Sequence, residues 1–314
     1  MADAEQQAYA ALVAVGPGNQ EVERLSDLIA AIGHYELGAA TLVIVDDDPV
    51  PRNLHRLPAP PGLQLVAVHH RRERQSRVFS KGKGICSVVM TGLAWIQAHA
   101  NVRFVVKLDT DSLVIAPFRR QIIRLLDQHP STGMIGAYRR APGGGMRDWS
   151  PHRRTIRTLS RHPLLRQLLA LRPGRAASGI VPDDVGQHMR HLVQAAMRYG
   201  YTPGEHCLGG GYVLNSTVLD RMAAAGWINK APLWAKIDLP EDVMVGLHVR
   251  ATGMEFLDQV DDGQVFGVRH IGLPFPPADL AARGYAVIHA VKNDANVDEA
   301  TIRHFFKARR IGTG

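Results

Sequence analysis

Residues 9–15 (Tyr-Ala-Ala-Leu-Val-Ala-Val) form an unbroken apolar run that stops at Gly16-Pro17-Gly18. A short apolar run closed by turn residues predicts a buried strand. Asn19 stands where a helix cap is expected, and Val22, Leu25, Leu28, Ile29 and Ile32 then recur at helical spacing. Thr41–Val45 is rich in β-branched residues and ends at Asp46-Asp47-Asp48-Pro49. That predicts a second buried, parallel strand with carboxylates at its carboxyl end. After the loop at 58–62, Leu63–Val68 reads as a third strand. Ile85, Val88, Val89, Leu93 and Ile96 mark an amphipathic helix, and Val102–Leu108 a fourth strand running into Asp109-Thr110-Asp111. The rhythm is strand-helix-strand-loop-strand-helix-strand. It predicts a doubly wound α/β sheet whose strand ends carry the chemistry.

The pattern loosens beyond residue 138. Residues 150–175 mix Arg, His and Leu, and Pro163 interrupts the helical period. Val185, Met189, Leu192, Val193 and Met197 mark a helix. Leu208-Gly209-Gly210-Gly211 leads into a strand over Tyr212–Asn215, a helix over Ser216–Ala225, and another opening at Leu239-Pro240-Glu241-Asp242. Short strands are expected near 255–260 and 286–289, and a helical tail, basic at its end, over 294–314. No internal repeat or low-complexity linker divides the chain, which favours one interwoven domain.

Composition narrows the classes. With 314 residues, 46% hydrophobic and 21% charged, the chain can bury a large core and is not a disordered polymer. Two cysteines, Cys86 and Cys207, exclude a disulfide-stapled scaffold and read as a reduced pair. A formal charge of +8 favours a polyanionic partner: nucleic acid, a nucleotide diphosphate or an anionic lipid surface. No apolar stretch spans a bilayer, and Met1-Ala2-Asp3-Ala4-Glu5 lacks a basic leader. The expected location is therefore cytoplasmic.

Four features are candidates for chemistry. In an extended chain Asp109 and Asp111 face the same side. Such a pair makes a hard oxygen site suited to Mg²⁺ or Mn²⁺, although the same spacing is common in plain turns. Glu241-Asp242-Val243 follows Pro240 at a helix start, where acidic residues are also ordinary caps. Gly209-Gly210-Gly211-Tyr212 allows close approach of a ligand, or is simply a turn. His289 closes a short strand, with Lys292 beyond it. The run His69–Lys83 is the densest cationic stretch of the first half; Lys81 and Lys83 are its best diphosphate contacts, and a solvated loop is the competing reading.

Together these blocks resemble the GT-A glycosyltransferases, in particular the fringe and β-1,3-galactosyl/N-acetylglucosaminyltransferase (GT31-type) family. Phe104–Val114 is similar to the family's strand, lysine and acidic triplet. Leu208–Asn215 is similar to its glycine-tyrosine strand, and Glu241–Met254 to its E-D-V helix, down to the spacing of Gly246 and Gly253. The likeness covers about two-thirds of the chain. It departs at Thr110, which interrupts the acidic triplet, over 145–205, which match nothing in the family, and in the lack of a preceding anchor. These departures suggest a bacterial relative.

The resemblance implies a GT-A fold: a Rossmann-like mixed sheet with helices on both faces. It implies one domain with a nucleotide-sugar-binding half (8–137), an acceptor-binding and catalytic-base half (138–293) and a basic tail (294–314). It further implies an inverting, metal-dependent transfer of sugar from a UDP-sugar donor to a small-molecule, glycan, peptide or lipid-linked acceptor. Asp109, Asp111 and His289 would hold Mn²⁺ or Mg²⁺. Asp242 would be the general base, with Glu241 beside it. Asp46, Asp47, Lys83, Asp109, Gly210 and Gly211 would meet the donor. The Arg/Leu region at 153–175 would serve as an acceptor lid or rest peripherally on an anionic membrane. Rival readings are a retaining GT-A enzyme and a sugar nucleotidyltransferase, the latter disfavoured because no Lys or Arg follows Gly16-Pro17-Gly18 until Arg24. A non-catalytic nucleic-acid-binding protein would explain the charge but not acidic clusters at three element ends.

Overall fold

The computed structural model describes residues 8–36, 40–71, 84–160, 183–237 and 239–312. The chain opens with β1 (Tyr9–Val15), α1 (Asn19–Tyr35), β2 (Ala40–Asp46) and β3 (Leu63–His69). It continues through α2 (Ile85–His99), β4 (Phe104–Asp109), β5 (Leu113–Val114), α3 (Arg119–Gln128), β6 (Thr132–Gly136), α4 (Ser150–Leu159) and α5 (Asp183–Met197). Next come β7 (Gly211–Asn215), α6 (Ser216–Ala224), the single turn α7 (Ala231–Trp234), α8 (Glu241–Ala251) and β8 (Glu255–Asp258). The last elements are β9 (Phe266–Val268), α9 (Pro277–Ala282), β10 (Val287–His289) and α10 (Glu299–Gly312).

The architecture is mixed α/β. A seven-stranded sheet has the order β3-β2-β1-β4-β7-β6-β8, and a three-stranded sheet the order β5-β10-β9. Strands β3, β2, β1 and β4 run parallel, whereas β7 runs antiparallel to both β4 and β6. The parallel block therefore delivers the ends of β2 and β4, with Asp46 and Asp109, to one edge. Strand β7 starts at that same edge, because Gly211 pairs with Leu108.

Alternation along the strands divides the core in two. Ala10, Leu12, Val43, Val45, Val105 and Tyr212 face α2, α5 and α8. Tyr9, Ala11, Val13, Leu42, Ile44, Phe104, Val106 and Val213 face α1, α3 and the smaller sheet. Burial on both faces accounts for the continuous apolar runs of β1 and β2. Asn19 is not a cap: it is the first helical residue of α1, and Gly18 precedes it at φ 106° with no side-chain bond. Both cysteines are buried, and neither is in a disulfide. Among the described residues, no helix is long and apolar enough to cross a membrane.

Candidate metal centre and adjoining carboxylates

Strand β4 ends at Asp109, and a turn follows, closed by the Ser112 amide donating to the Asp109 carbonyl at 3.0 Å. The turn brings the two aspartates together on one imidazole. His289 Nε2 lies 3.5 Å from Asp109 Oδ2 and 3.3 Å from Asp111 Oδ1. One ligand atom from each of the three residues lies within 4.8 Å of the others. The ring's other nitrogen, Nδ1, is 2.8 Å from the Arg269 carbonyl oxygen and donates to it, which turns Nε2 toward the carboxylates.

Gly210 makes room for this arrangement. A Cβ at that position would come within 2.2 Å of His289 Cγ. The glycine is thus required by the histidine packed on it.

The electrostatics are those of a tightly paired cluster. Burial opposes ionisation of Asp109 and Asp111, but Lys107 and His289 outweigh it for Asp109, and His289 and Lys292 for Asp111; both carboxyls are held below their ordinary range. Burial alone would lower the His289 pKa, yet its bonds to Asp109 and Asp111 push it up to about 10. Asp111 Oδ2 is buried without a hydrogen-bond partner among the described residues, with Lys292 Nζ 3.3 Å away. Two carboxylates, one with a buried oxygen that accepts no hydrogen bond, and one imidazole nitrogen fit a hard divalent cation such as Mn²⁺ or Mg²⁺.

Lys107 joins this cluster to a second one. Its ammonium, 1% exposed, donates to Asp109 Oδ1 at 2.6 Å, to the Gly209 carbonyl at 2.7 Å and to Glu241 Oε1 at 2.6 Å. Burial would lower its pKa, but the two carboxylates outweigh that and hold it well above the usual lysine range. Glu241 also accepts from the Tyr212 hydroxyl at 2.9 Å. Burial, partly offset by Lys107 and reinforced by Asp242, raises the Glu241 pKa to about 7. Asp242, next in α8, accepts from the Gly209 amide and from its neighbour Val243, both at 2.9 Å. Gly209 and Gly210 are therefore gripped from two sides, by α8 and by His289.

The structure brings together Asp109, Asp111, His289, Glu241, Asp242 and Gly209–Gly211. Asp46 lies apart, at the end of β2. Its carboxylate is committed to Arg52: Oδ2 accepts from the Arg52 amide at 2.8 Å, and Oδ1 from Nε at 3.0 Å and Nη2 at 2.5 Å. Asp47 beside it is buried. Lys81 and Lys83 lie outside the described residues, as do most of the basic runs at 69–83 and 153–175. Thr110 turns away from the metal cluster, and its hydroxyl donates to Glu21 of α1. His206, which carries no motif in the sequence, also approaches Asp242, and Arg147 packs on His206. Comparison with protein-family models and with curated proteins returns no match to this chain.

Proposed function

We propose that the protein is a divalent-metal-dependent inverting glycosyltransferase of GT-A type, similar to the fringe and β-1,3-glycosyltransferase family, that uses a UDP-sugar. The observation that carries this reading is the single ammonium of Lys107 shared by Asp109 of the metal cluster and Glu241 beside Asp242. It holds a cation site and a carboxylate base next to each other at one sheet edge. That is the pairing needed to grip a diphosphate and deprotonate an attacking hydroxyl.

Asp109, Asp111 and His289 would hold the ion. When bound, it supplies positive charge that stabilises the departing nucleoside diphosphate. Asp242 accepts the proton of the acceptor hydroxyl; that oxygen bonds to the anomeric carbon as the bond from carbon to diphosphate oxygen breaks. UDP leaves, and the anomeric configuration inverts. Glu241 and Lys107 keep Asp242 and Asp109 in register. In this reading residues 8–137 contribute most of the donor site and 138–293 the base and acceptor side.

The test is a panel of UDP-sugars assayed for UDP release with Mn²⁺ and with chelator. Release that needs Mn²⁺ and falls at least about 100-fold in Asp242→Asn is expected for loss of a general base. Failure with every sugar nucleotide overturns the reading. Retention of the anomeric configuration overturns the role of Asp242.

A further inference from the structure

Gly246 lies one turn beyond Asp242 on the same face of α8. A Cβ there would come 2.8 Å from the Glu205 carbonyl oxygen and 3.0 Å from His206 Cβ. The glycine lets the segment around His206 lie directly against the helix. As a result His206, 3% exposed, sits with Nε2 3.6 Å from Asp242 Oδ2.

Arg147 holds the same ring. It belongs to a hairpin bridged at Arg140 and Met146. Its Nη1 donates to the carbonyls of Ala137 at 2.5 Å, Tyr138 at 2.9 Å and His206 at 2.6 Å. Its Nη2 lies 2.7 Å from His206 Nε2. A guanidinium has donors only, so Nε2 must accept. His206 Nδ1, 2.7 Å from the Gly204 carbonyl oxygen, must then carry the ring proton. The partners thus dictate one tautomer, neutral, with its lone pair spent on Arg147.

We propose that Arg147 is a positioning residue that keeps His206 neutral and thereby keeps Asp242 free to accept a proton. The inference rests on the reading of Asp242 as the base. A proton on Nε2 would point at Asp242 Oδ2 and form an ion pair. A carboxylate beside a cation is a weaker base. Arg147 blocks that state twice, by occupying the lone pair and by placing a like charge against it.

The other groups facing His206 fit this role. From α4, the His152 ring stands 5.3 Å away, edge on, and adds a further positive charge if it ionises. On the segment itself, Glu205 is tied to Arg250 at 2.7 Å and to the Tyr138 hydroxyl at 2.6 Å. Cys207 is a buried thiol whose pKa burial raises well above its ordinary value. Burial holds the His206 ring below the usual histidine range; Asp242 pulls against it, and Arg147 and His152 reinforce it.

The full chain, labelled with ¹⁵N-histidine, tests this by ring-nitrogen shifts from pH 5 to 8. The His206 signal is assigned by its loss in His206→Asn. UDP release from UDP-glucose, UDP-galactose and UDP-N-acetylglucosamine with Mn²⁺ is followed over the same range. The wild type is expected to hold the Nδ1–H form at pH 7. In Arg147→Met, His206 takes up a proton about one pH unit higher, and the acid limb of UDP release moves up with it, about tenfold in rate at its low end. The double variant Arg147→Met/His206→Asn regains the original limb, because the imidazole that Arg147 restrains is gone from beside Asp242.

An Nε2–H or protonated ring in the wild type at pH 7 overturns the proposal, and this needs no activity from any variant. So does an acid limb in Arg147→Met that stays in place while UDP is still released. Absence of UDP release from the wild type counts against the transferase reading instead, and the tautomer remains measurable.

Discussion

Lys107 carries more of the site than any other side chain. It is fully buried, and both of its anionic partners belong to candidate catalytic clusters. Deleting one member of a buried ion network strands the others, at a cost of about 3–5 kcal/mol. Lys107→Met is therefore expected to lose about that much stability in urea unfolding. It should also weaken Mn²⁺ binding, since Asp109 would no longer be held. A variant that loses less than about 1 kcal/mol would mean that Asp109 and Glu241 find solvent or each other instead.

The residues that answer for this chemistry were only partly legible in the sequence. Asp109, Asp111, His289, Glu241 and Asp242 stand out because acidic residues at strand and helix ends are conspicuous against apolar runs. Arg147 and His206 do not, since an isolated arginine in a glycine-rich loop and one of 15 histidines carry no spacing signal. The glycines at 209–211 were visible as a cluster but not in their purpose. Their neighbours, His289 and α8, come from distant parts of the chain, so only the fold reveals what a side chain there would strike.

At the scale of elements, β1, β2, β3, β4, α2, α5 and α8 follow the apolar patterns closely. Strands β5 and β9 have two and three residues, too few for any periodicity to register. Strand β6 (Thr-Gly-Met-Ile-Gly) is fully buried yet contains two glycines, so it offers no apolar run to register. Helix α3 buries only Ile122 and Leu126.

The packing of α5 against α8 has a consequence for pH. His188 and His248 face each other at 6.5 Å between ring centroids, with Trp234 beside both. Nε2 of each histidine is buried without a hydrogen-bond partner among the described residues. Burial lowers the His188 pKa to about 4 and the His248 pKa to about 3. Unfolded, both would titrate near 6.5. Between those values the unfolded chain binds more protons, so stability is complete above pH 6.5 and falls as the pH drops below it. The slope is about 1.4 kcal/mol per pH unit for each histidine. Urea unfolding at pH 7.5 and 5 measures it, and His248→Leu should remove one histidine's share. An unchanged slope in that variant would place the acid sensitivity elsewhere.

Across the whole molecule, α1 and α10 meet behind the Asp109–Asp111 turn. Arg24 of α1 pairs with Glu299 of α10, with Nε to Oε1 at 2.8 Å. Arg303 reaches Asp27 at 2.8 Å and the Thr110 carbonyl at 3.2 Å. Ile302 and Phe306 complete an apolar cluster with Leu113, Leu280, Tyr285 and Ile288. Deleting 299–312 should therefore lower Tm and also reduce the stabilisation that Mn²⁺ confers. A cation held by the intact protein at 100 times its Kd would stabilise it by about 2.7 kcal/mol. A truncated chain that gains as much from Mn²⁺ as the intact one would show that α10 only covers the core.

The contact between Arg303 and Thr110 also sets an order in time. A ribosome makes the acidic turn first and reaches His289 and the helix that backs the turn much later. Until then the aspartates stand without the imidazole they share and without the support of α10, so a nascent chain carries the motif in writing only.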